Sequence, residues 1–248
     1  MRLQDKCAIV TGAGSGFGAG IAKKFIDEGA HVMIADINTA AAQRVADDLG
    51  SRATAITVDV SQAADVEAMS EATLKTLGRI DILVNNAGVT HLPAPMETIS
   101  EADFDRVLAI NAKSVFLSAR YIIPIMKKQA RGVVLNVAST AGVSPRPNLS
   151  WYNASKGWMI TATRSMAVEL APAGIRVNAI NPVAGETPLL KSFMGKDTPE
   201  IREKFLSTIP LGRFSTPEDM AHAACYLCSD ESSMVTGVCM EIDGGRCI

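Results

Sequence analysis

Tyr152 and Lys156 stand four residues apart in a pattern that predicts a helix over Trp151–Leu170. Side chains at this spacing lie on the same face of a helix, so the phenol and the ammonium are neighbours. A free tyrosine, with a pKa near ~10, is a poor base at neutral pH. A cation held nearby stabilises the phenolate and favours acid/base chemistry. The pair therefore indicates a site of proton transfer.

Ser139 follows the predicted strand Val133–Val137, at the rim where α/β sheets bind ligands. A second rim feature is the glycine-rich turn Thr11–Gly18, which lies between the first predicted strand and the first predicted helix. Its glycines permit a tight turn and let the backbone approach a pyrophosphate at the helix N-terminus. Asp36 ends the second predicted strand, where a carboxylate accepts hydrogen bonds from ribose hydroxyls and repels a 2′-phosphate. The spacing predicts NAD as cofactor.

Short apolar strands alternate with helical patterns along most of the chain, which predicts a parallel sheet covered on both faces. We therefore expect an α/β fold, a Rossmann-type doubly wound sheet in one dinucleotide-binding and catalytic domain, residues 1–248. The least regular segment, 183–216, is rich in Gly, Pro, Met and polar residues and is predicted to be a flexible substrate flap. The predicted strands are Ala8–Val10, His31–Ala35, Ala55–Val58, Ile80–Val84, Gly132–Val137 and Ile175–Ile180, and the longest predicted helix is Glu101–Lys128.

Composition argues against several classes of partner. The 24 basic and 26 acidic residues give a net charge of −2 with no long run of one sign, so neither nucleic acid nor a membrane is expected. The sequence contains no signal-peptide pattern and no apolar stretch near the ~20 residues that span a bilayer. Five scattered cysteines favour reduced thiols in the cytoplasm. Cys225 and Cys228 form a C-x-x-C on a predicted helix, for which buried thiols are favoured over redox or metal use, and no metal is expected.

Taken in order, these motifs resemble those of the short-chain dehydrogenase/reductase family over essentially the whole chain. The further landmarks that match the family are Asp59-Val60, Asn85-Asn86-Ala87-Gly88, Asn111, Thr236-Gly237 and Asp243-Gly244-Gly245. The resemblance implies a homotetramer that pairs the long helices Glu101–Lys128 and Trp151–Leu170. Four apolar residues beyond one core-facing stripe fit such pairing: Trp158, Met159, Met166 and Val168.

The resemblance also implies roles for individual residues. Tyr152 exchanges a proton with the substrate oxygen, Ser139 hydrogen-bonds that oxygen, and Lys156 holds the nicotinamide ribose and lowers the tyrosine pKa. Asn111 positions, through its backbone, a water that links Lys156 to solvent. The residues expected to bind the cofactor are Gly12, Ser15, Gly16, Phe17, Gly18, Asp36, Ile37, Asp59, Val60, Asn86, Ala87, Gly88, Tyr152, Lys156, Pro182, Gly185 and Thr187.

One segment departs from the family pattern. Members usually carry Asn-Pro-Gly ahead of a threonine, whereas this chain has Val183 in place of that glycine and Gly185 where a larger apolar residue is common. Either the Val183 side chain narrows the substrate pocket or the backbone runs differently there.

The function predicted from these features is hydride transfer between NAD(H) and a secondary alcohol or ketone. A 3-oxoacyl-carrier-protein reductase is the main alternative, and a nucleotide-binding regulatory scaffold is the non-enzyme alternative. The residues expected to contact substrate are His91, Ser139, Arg146, Val183 and Ala184. The pocket segments, expected at 91–96, 141–149 and 183–194, are mostly apolar, which favours a compact neutral substrate. A solvent-exposed Arg146 is favoured over one that meets an anionic substrate.

Overall fold

The computed structural model describes residues 1–248, and its seven strands form one parallel sheet in the order β3-β2-β1-β4-β5-β6-β7. The chain leaves β1 toward one edge, returns, and continues from β4 toward the other edge, which is the doubly wound arrangement predicted from the sequence. The strands are β1 (Cys7–Thr11), β2 (His31–Asp36), β3 (Ala53–Thr57), β4 (Ile82–Asn85), β5 (Gly132–Val137), β6 (Ile175–Pro182) and β7 (Cys239–Ile242).

Nine α-helices surround the sheet. They are α1 (Gly16–Asp27), α2 (Thr39–Leu49), α3 (Ala63–Leu77), α4 (Glu101–Leu108), α5 (Ser114–Gln129), α6 (Ser150–Leu170), α7 (Leu190–Met194), α8 (Pro199–Leu206) and α9 (Pro217–Cys228). Helices α1, α2 and α9 pack on one face around the fully buried Phe25, and α3, α5 and α6 pack on the other face around Met69 and Ile122. Burial on both faces explains why the central strands are almost continuously apolar.

The structure differs from the sequence prediction in three elements. The predicted helix Glu101–Lys128 contains a wide π turn, Ala109–Lys113, between α4 and α5. Strand β7 was not predicted, because it has only four residues, three half-buried and one exposed, and shows little alternation. The segment 183–216 contains the short helices α7 and α8 and is therefore partly regular.

One helical stretch, Glu101–Gln129, is long and apolar enough to cross a bilayer by length and composition alone. This corrects the expectation that no segment approaches that length. The stretch packs on the sheet through the buried side chains Leu117, Ile122 and Met126.

Cys225 and Cys228 lie buried on α9 as free thiols, and burial raises the pKa of each. Their surroundings match the interpretation of packed helix thiols rather than reactive ones.

Candidate active site

A cavity of about 440 Å³ opens at the carboxyl ends of the strands, where a doubly wound sheet binds its ligands. Most of the predicted site residues line it. Those from the cofactor set are Gly12, Ser15, Gly16, Phe17, Asp36, Ile37, Asp59, Val60, Asn86, Ala87, Gly88, Tyr152, Lys156, Pro182, Gly185 and Thr187. Those from the substrate set are Ser139, Arg146, Val183 and Ala184.

The glycine turn has the backbone geometry that its sequence indicates. Gly12 and Gly16 have φ values of +63° and +54°, which residues with side chains rarely adopt. Gly18 does not line the cavity, although it was expected to bind the cofactor. It lies beneath the turn, where a Cβ atom would be 2.3 Å from the Gly12 carbonyl oxygen. Its role in the structure is to permit close packing of helix and turn.

Asp36 is fixed at the cavity wall by two backbone donors. Its Oδ2 accepts a hydrogen bond from Gly14 N at 2.9 Å, and its Oδ1 accepts one from Asn38 N at 2.9 Å. These contacts leave the carboxylate facing the glycine turn, with no Lys or Arg among the neighbouring wall residues. The end of the cavity beside Asp36 therefore favours hydroxyl donors over a phosphate.

The end of β4 is tied to the glycine turn. Thr11 Oγ1 accepts hydrogen bonds from the backbone N–H groups of Asn86 and Ala87, both at 3.1 Å. The Asn86 side chain donates to Thr11 O at 2.8 Å and to Gly12 O at 3.1 Å. Because both strand ends form one hydrogen-bonded unit, a shift in either would move the turn.

Asn111 does not line the cavity but is fully buried in the π turn behind it. Its side chain accepts from Val89 N at 2.9 Å and donates to Val89 O at 2.9 Å and to Ser155 Oγ at 3.0 Å. The amide therefore joins the loop after β4 to α6, and Ser155 precedes Lys156 in the chain. Single π turns inside α-helices occur frequently at functional sites.

Tyr152, Ser139 and Lys156 meet at one wall of the cavity. Burial raises the pKa of Tyr152 to about 12, against the lowering effects of a hydrogen bond with Ser139 and of the charge on Arg146. Burial also lowers the pKa of Lys156 to about 8, and its ammonium donates to Val137 O at 2.8 Å. In this structure the groups that favour the phenolate are thus Ser139 and Arg146.

Arg146 lies against the cavity and is only partly exposed, so the expectation of a solvent-exposed arginine is wrong. Its Cζ lies 4.3 Å from the centre of the Phe205 ring, a cation–π contact with α8. Burial, followed by the nearby charge of Arg246, lowers the pKa of Arg146 to about 10.

The structure resolves how the chain accommodates Val183. This residue is 4% exposed and packs with Leu190, Met194, Ile209 and Phe214 while also lining the cavity. Its φ does not lie in the left-handed region, so the backbone there does not require glycine. Val183 thus narrows the pocket and anchors the segment above it.

Gly185 occupies a position where a side chain would collide with the glycine turn. A Cβ atom there would lie 2.3 Å from Cζ of Phe17 and 2.7 Å from Oγ of Ser215. The Phe17 ring therefore fills the space that a larger apolar side chain, common in the family at the position of Gly185, would occupy.

His91 does not line the cavity, contrary to the prediction. It is 2% exposed, and its Nδ1 lies 2.8 Å from Leu92 O. The expected pocket segment 91–96 is absent from the cavity wall. Proximity in sequence to the end of β4 was an insufficient guide, because the chain turns away after Val89.

Two phenylalanines of the flap line the cavity: Phe193 lies in the predicted pocket segment 183–194, and Phe205 lies outside every predicted pocket segment. Phe193 on α7 packs edge-on against Tyr152 with ring centres 5.1 Å apart, and Phe205 on α8 packs under Arg146. In a chain with only 5% aromatic residues, the three phenylalanines of the segment 183–216, Phe193, Phe205 and Phe214, were an available signal. Ala141, Leu149, Pro188 and Leu189 line the cavity within the predicted pocket segments 141–149 and 183–194. The lining residues outside those segments and outside the predicted site residues are Val58, Val89, Ile110, Val137, Ala138 and Thr140.

Comparison with known proteins extends these observations. A family model described as enoyl-(acyl carrier protein) reductase matches residues 12–246. The chain is 50% identical to the 4-formylbenzenesulfonate dehydrogenase of Comamonas testosteroni, with 99% of each chain covered.

Two solved structures are also similar. A 3-ketoacyl-(acyl-carrier-protein) reductase from Brucella melitensis, complexed with NADH, has a TM-score of 0.95 and 50% identity, covering 99% of this chain and 100% of that one. A 7α-hydroxysteroid dehydrogenase complexed with NADH and 7-oxo glycochenodeoxycholic acid has a TM-score of 0.93 and 39% identity, covering 98% and 95%. Since both sequence and fold agree over almost the entire chain, the protein belongs to the short-chain dehydrogenase/reductase family of oxidoreductases.

Proposed function

We propose that this protein is an NAD-dependent oxidoreductase that moves a hydride between the nicotinamide and the carbon of a secondary alcohol or ketone. The observation that carries the proposal is the meeting of Tyr152, Ser139 and Lys156 at the wall of a cavity that also contains the glycine turn and Asp36. One domain, residues 1–248, then serves both cofactor and substrate.

NAD fits the residues of the cavity. The left-handed glycines of the turn let the backbone approach a pyrophosphate, and the fixed Asp36 carboxylate suits ribose hydroxyls. Two similar enzymes have been solved with NADH. When bound, the nicotinamide supplies or accepts the hydride, and the protein supplies orientation and a proton.

The proton transfer is assigned to Tyr152. In ketone reduction its hydroxyl donates a proton to the carbonyl oxygen, and in alcohol oxidation its oxygen accepts the hydroxyl proton. Ser139 donates a hydrogen bond to the same substrate oxygen. The Lys156 ammonium holds a ribose hydroxyl, and the backbone of Asn111, which lies in the π turn, positions a water that links this lysine to solvent.

The test is to follow the absorbance of reduced nicotinamide with a panel of ketones, using the wild type, Tyr152→Phe and Ser139→Ala. We expect turnover by the wild type and a fall of at least ~100-fold in kcat for Tyr152→Phe, because general acid/base catalysis contributes about that much. Binding of NADH without turnover of any carbonyl compound would instead support a nucleotide-binding scaffold.

A 3-oxoacyl-carrier-protein reductase is the second candidate, because the Brucella melitensis structure carries that name. The substrate of a 3-oxoacyl-carrier-protein reductase is a thioester attached to a carrier protein. The two candidate functions therefore predict different substrate preferences. We expect free ketones to give the higher kcat/KM; an advantage for the carrier-protein thioester would favour the second candidate.

We further propose that the protein is a homotetramer in the cytoplasm. Helices α5 and α6 expose large apolar side chains at Phe116, Trp158 and Val168, whose exposed fractions are 55%, 44% and 79%. Such side chains on neighbouring helices suit a symmetric interface between copies. Met159 contributes nothing to this surface, since it is 1% exposed and packs in the core. Five free cysteines suit a reducing compartment.

A further inference from the structure

Arg146 is a cation at the cavity wall without an anionic partner. Its Nη2 is buried and makes no hydrogen bond, and it forms none of the ion pairs in the structure. The groups that favour its charge are the phenol of Tyr152 and the thiol of Cys247, neither of which is a carboxylate. A partly buried guanidinium in this state costs folding free energy unless a ligand satisfies it.

A second guanidinium reinforces the positive charge beside Arg146. Arg246 donates from Nη1 to Ser144 Oγ at 3.2 Å, while its Nε is buried without a partner. The nearest acid in the chain, Asp243, accepts hydrogen bonds from Gly245 N at 2.9 Å and Cys247 N at 2.8 Å instead. The charge of Arg246 thus lowers the pKa of Arg146, and neither guanidinium is hydrogen-bonded to a carboxylate.

The loop that carries Arg146 is held in place before any ligand binds. Prolines flank it at positions 145 and 147, and each fixes its own φ. The Arg146 carbonyl accepts a hydrogen bond from Asn153 Nδ2 at 2.8 Å. Asn148 adopts a left-handed φ of +64°, a strain of the kind that clusters at ligand sites. This order reduces the entropy that a ligand must overcome to bind Arg146.

Charge is divided between regions of the cavity. The acidic wall residues are Asp36 and Asp59, on the side of the glycine turn. The cationic wall residues are Arg146 and Lys156, on the side of Tyr152. Apolar side chains fill the substrate wall around Arg146, namely Leu149, Val183, Leu189, Phe193 and Phe205. A ligand that matches this surface has a reacting oxygen at Tyr152, a compact apolar body, and an anion at Arg146.

We propose that the substrate is a small carbonyl compound, or the matching alcohol, that carries a carboxylate or sulfonate on a compact apolar body. This inference rests on the proposed function and replaces the neutral substrate expected from the sequence. The anion binds to the Arg146 guanidinium, whose planar donors suit two oxygens at once, and Arg246 strengthens the local positive potential.

The experiment compares acids with their neutral methyl esters as substrates for NADH-dependent reduction. The pairs are 4-acetylbenzoate and its ester, and 4-oxopentanoate and its ester. They are assayed with the wild type, Arg146→Gln, Arg146→Lys and the control Lys191→Gln, which removes an exposed flap cation outside the cavity wall. Binding of benzenesulfonate and benzoate to the NADH-loaded enzyme is measured by calorimetry, so that the site is tested without turnover.

We expect the wild type to prefer at least one acid over its ester by tenfold or more in kcat/KM. Arg146→Gln should reduce kcat/KM for that acid by ~30-fold, mainly through KM, because it removes a charge-assisted hydrogen bond. It should reduce the value for the ester by a smaller factor and mainly through kcat, because Arg146 also lowers the pKa of Tyr152. Arg146→Lys should fall between wild type and Arg146→Gln, and Lys191→Gln should behave as wild type.

Two outcomes separate this inference from the function on which it rests. Equal use of acids and esters, with no effect of Arg146→Gln on turnover or on calorimetric binding, would overturn the anion site and leave the oxidoreductase assignment intact. Arg146-dependent binding of the anions without reduction of any carbonyl compound would overturn the proposed reaction and leave the anion site standing.

Discussion

The Cα of Gly18 lies so close to the Gly12 carbonyl that a Cβ atom on Gly18 would stand 2.3 Å from that oxygen and 2.5 Å from Asn86 Nδ2. The first helix and the glycine turn are therefore in direct backbone contact. Asn86 Nδ2 donates to the same carbonyl at 3.1 Å, so one added methyl group would disturb both partners.

Gly18→Ala should consequently weaken nucleotide binding although residue 18 does not line the cavity. Displacement of backbone atoms by overpacking costs about 1–3 kcal/mol, and we expect the Kd for NADH to rise at least ~10-fold. Fluorescence titration of NADH measures the Kd, and urea unfolding measures the accompanying loss of stability. An unchanged Kd would show that the turn tolerates the shift.

Asp36 should determine the choice between NADH and NADPH. Repulsion between its carboxylate and a 2′-phosphate is on the order of 2 kcal/mol at an effective dielectric constant near ~20. We expect kcat/KM to favour NADH by at least ~30-fold, and Asp36→Asn to narrow that ratio by about tenfold. Equal values for the two cofactors in the wild type would contradict this role.

Lys156 should destabilise the nucleotide-free protein at neutral pH. Burial lowers its pKa to about 8 from 10.5, so the folded state binds fewer protons than the unfolded state between those values. The loss of folding stability caused by burying Lys156 is therefore complete below about pH 8, and it fades as the pH rises toward 10.5. It is on the order of 3 kcal/mol at most.

Lys156→Met should accordingly raise the free energy of unfolding at pH 7 by about 1–3 kcal/mol while it abolishes turnover. The difference from wild type should shrink at pH 9.5, whereas the exposed Lys75→Met should show no such trend. Urea unfolding without nucleotide at both pH values provides the measurement. A variant less stable than wild type at pH 7 would refute the penalty.

Ser139→Ala should move the pH dependence of alcohol oxidation. The hydrogen bond with Ser139 lowers the pKa of Tyr152, so its loss leaves the phenol less acidic. We expect kcat at pH 7 to fall at least ~10-fold. We also expect the increase of kcat with pH to occur at a higher pH than in the wild type. A fall in kcat with an unshifted profile would limit Ser139 to orienting the substrate.

Charges placed on the exposed apolar faces of α5 and α6 should dissociate the proposed tetramer. Phe116→Glu and Val168→Glu each bury an unpaired charge if these faces meet another copy. Light scattering should then report dimers or monomers. Arg44→Glu, on the exposed side of α2, provides a charge-changing control that should leave the mass unchanged. A wild type that is monomeric at micromolar concentration would refute the proposal.

The sequence predicted the parallel sheet and most of the cavity wall because these depend on local features. Apolar runs mark buried strands, and Asp36 and the glycine turn lie at strand ends whose position follows from the topology. The predictions that the structure corrects failed for a different reason. His91 was misplaced, and the exposure of Arg146 was misjudged, because both depend on the path of irregular loops.

The fit of Gly185 against Phe17 illustrates the same limit. It joins two segments far apart in the chain, and no local periodicity specifies which side chain fills the space between them. The contact between Arg146 and Phe205 is likewise set by how α8 packs over the cavity. Such long-range packing becomes visible only in three dimensions.

The π turn at Ala109–Lys113 acts in effect as a single inserted residue within one continuous helical rod. One residue corresponds to about 100° of rotation around a helix axis, so the turn determines which direction every later side chain on α5 points. Deleting one residue to straighten the rod would remove the buried position of Asn111 and would also swing Phe116 away from its present exposed direction. A change of length at this turn would therefore alter both the geometry of the active centre and the direction of the exposed side chains on α5. Neither can be altered alone there.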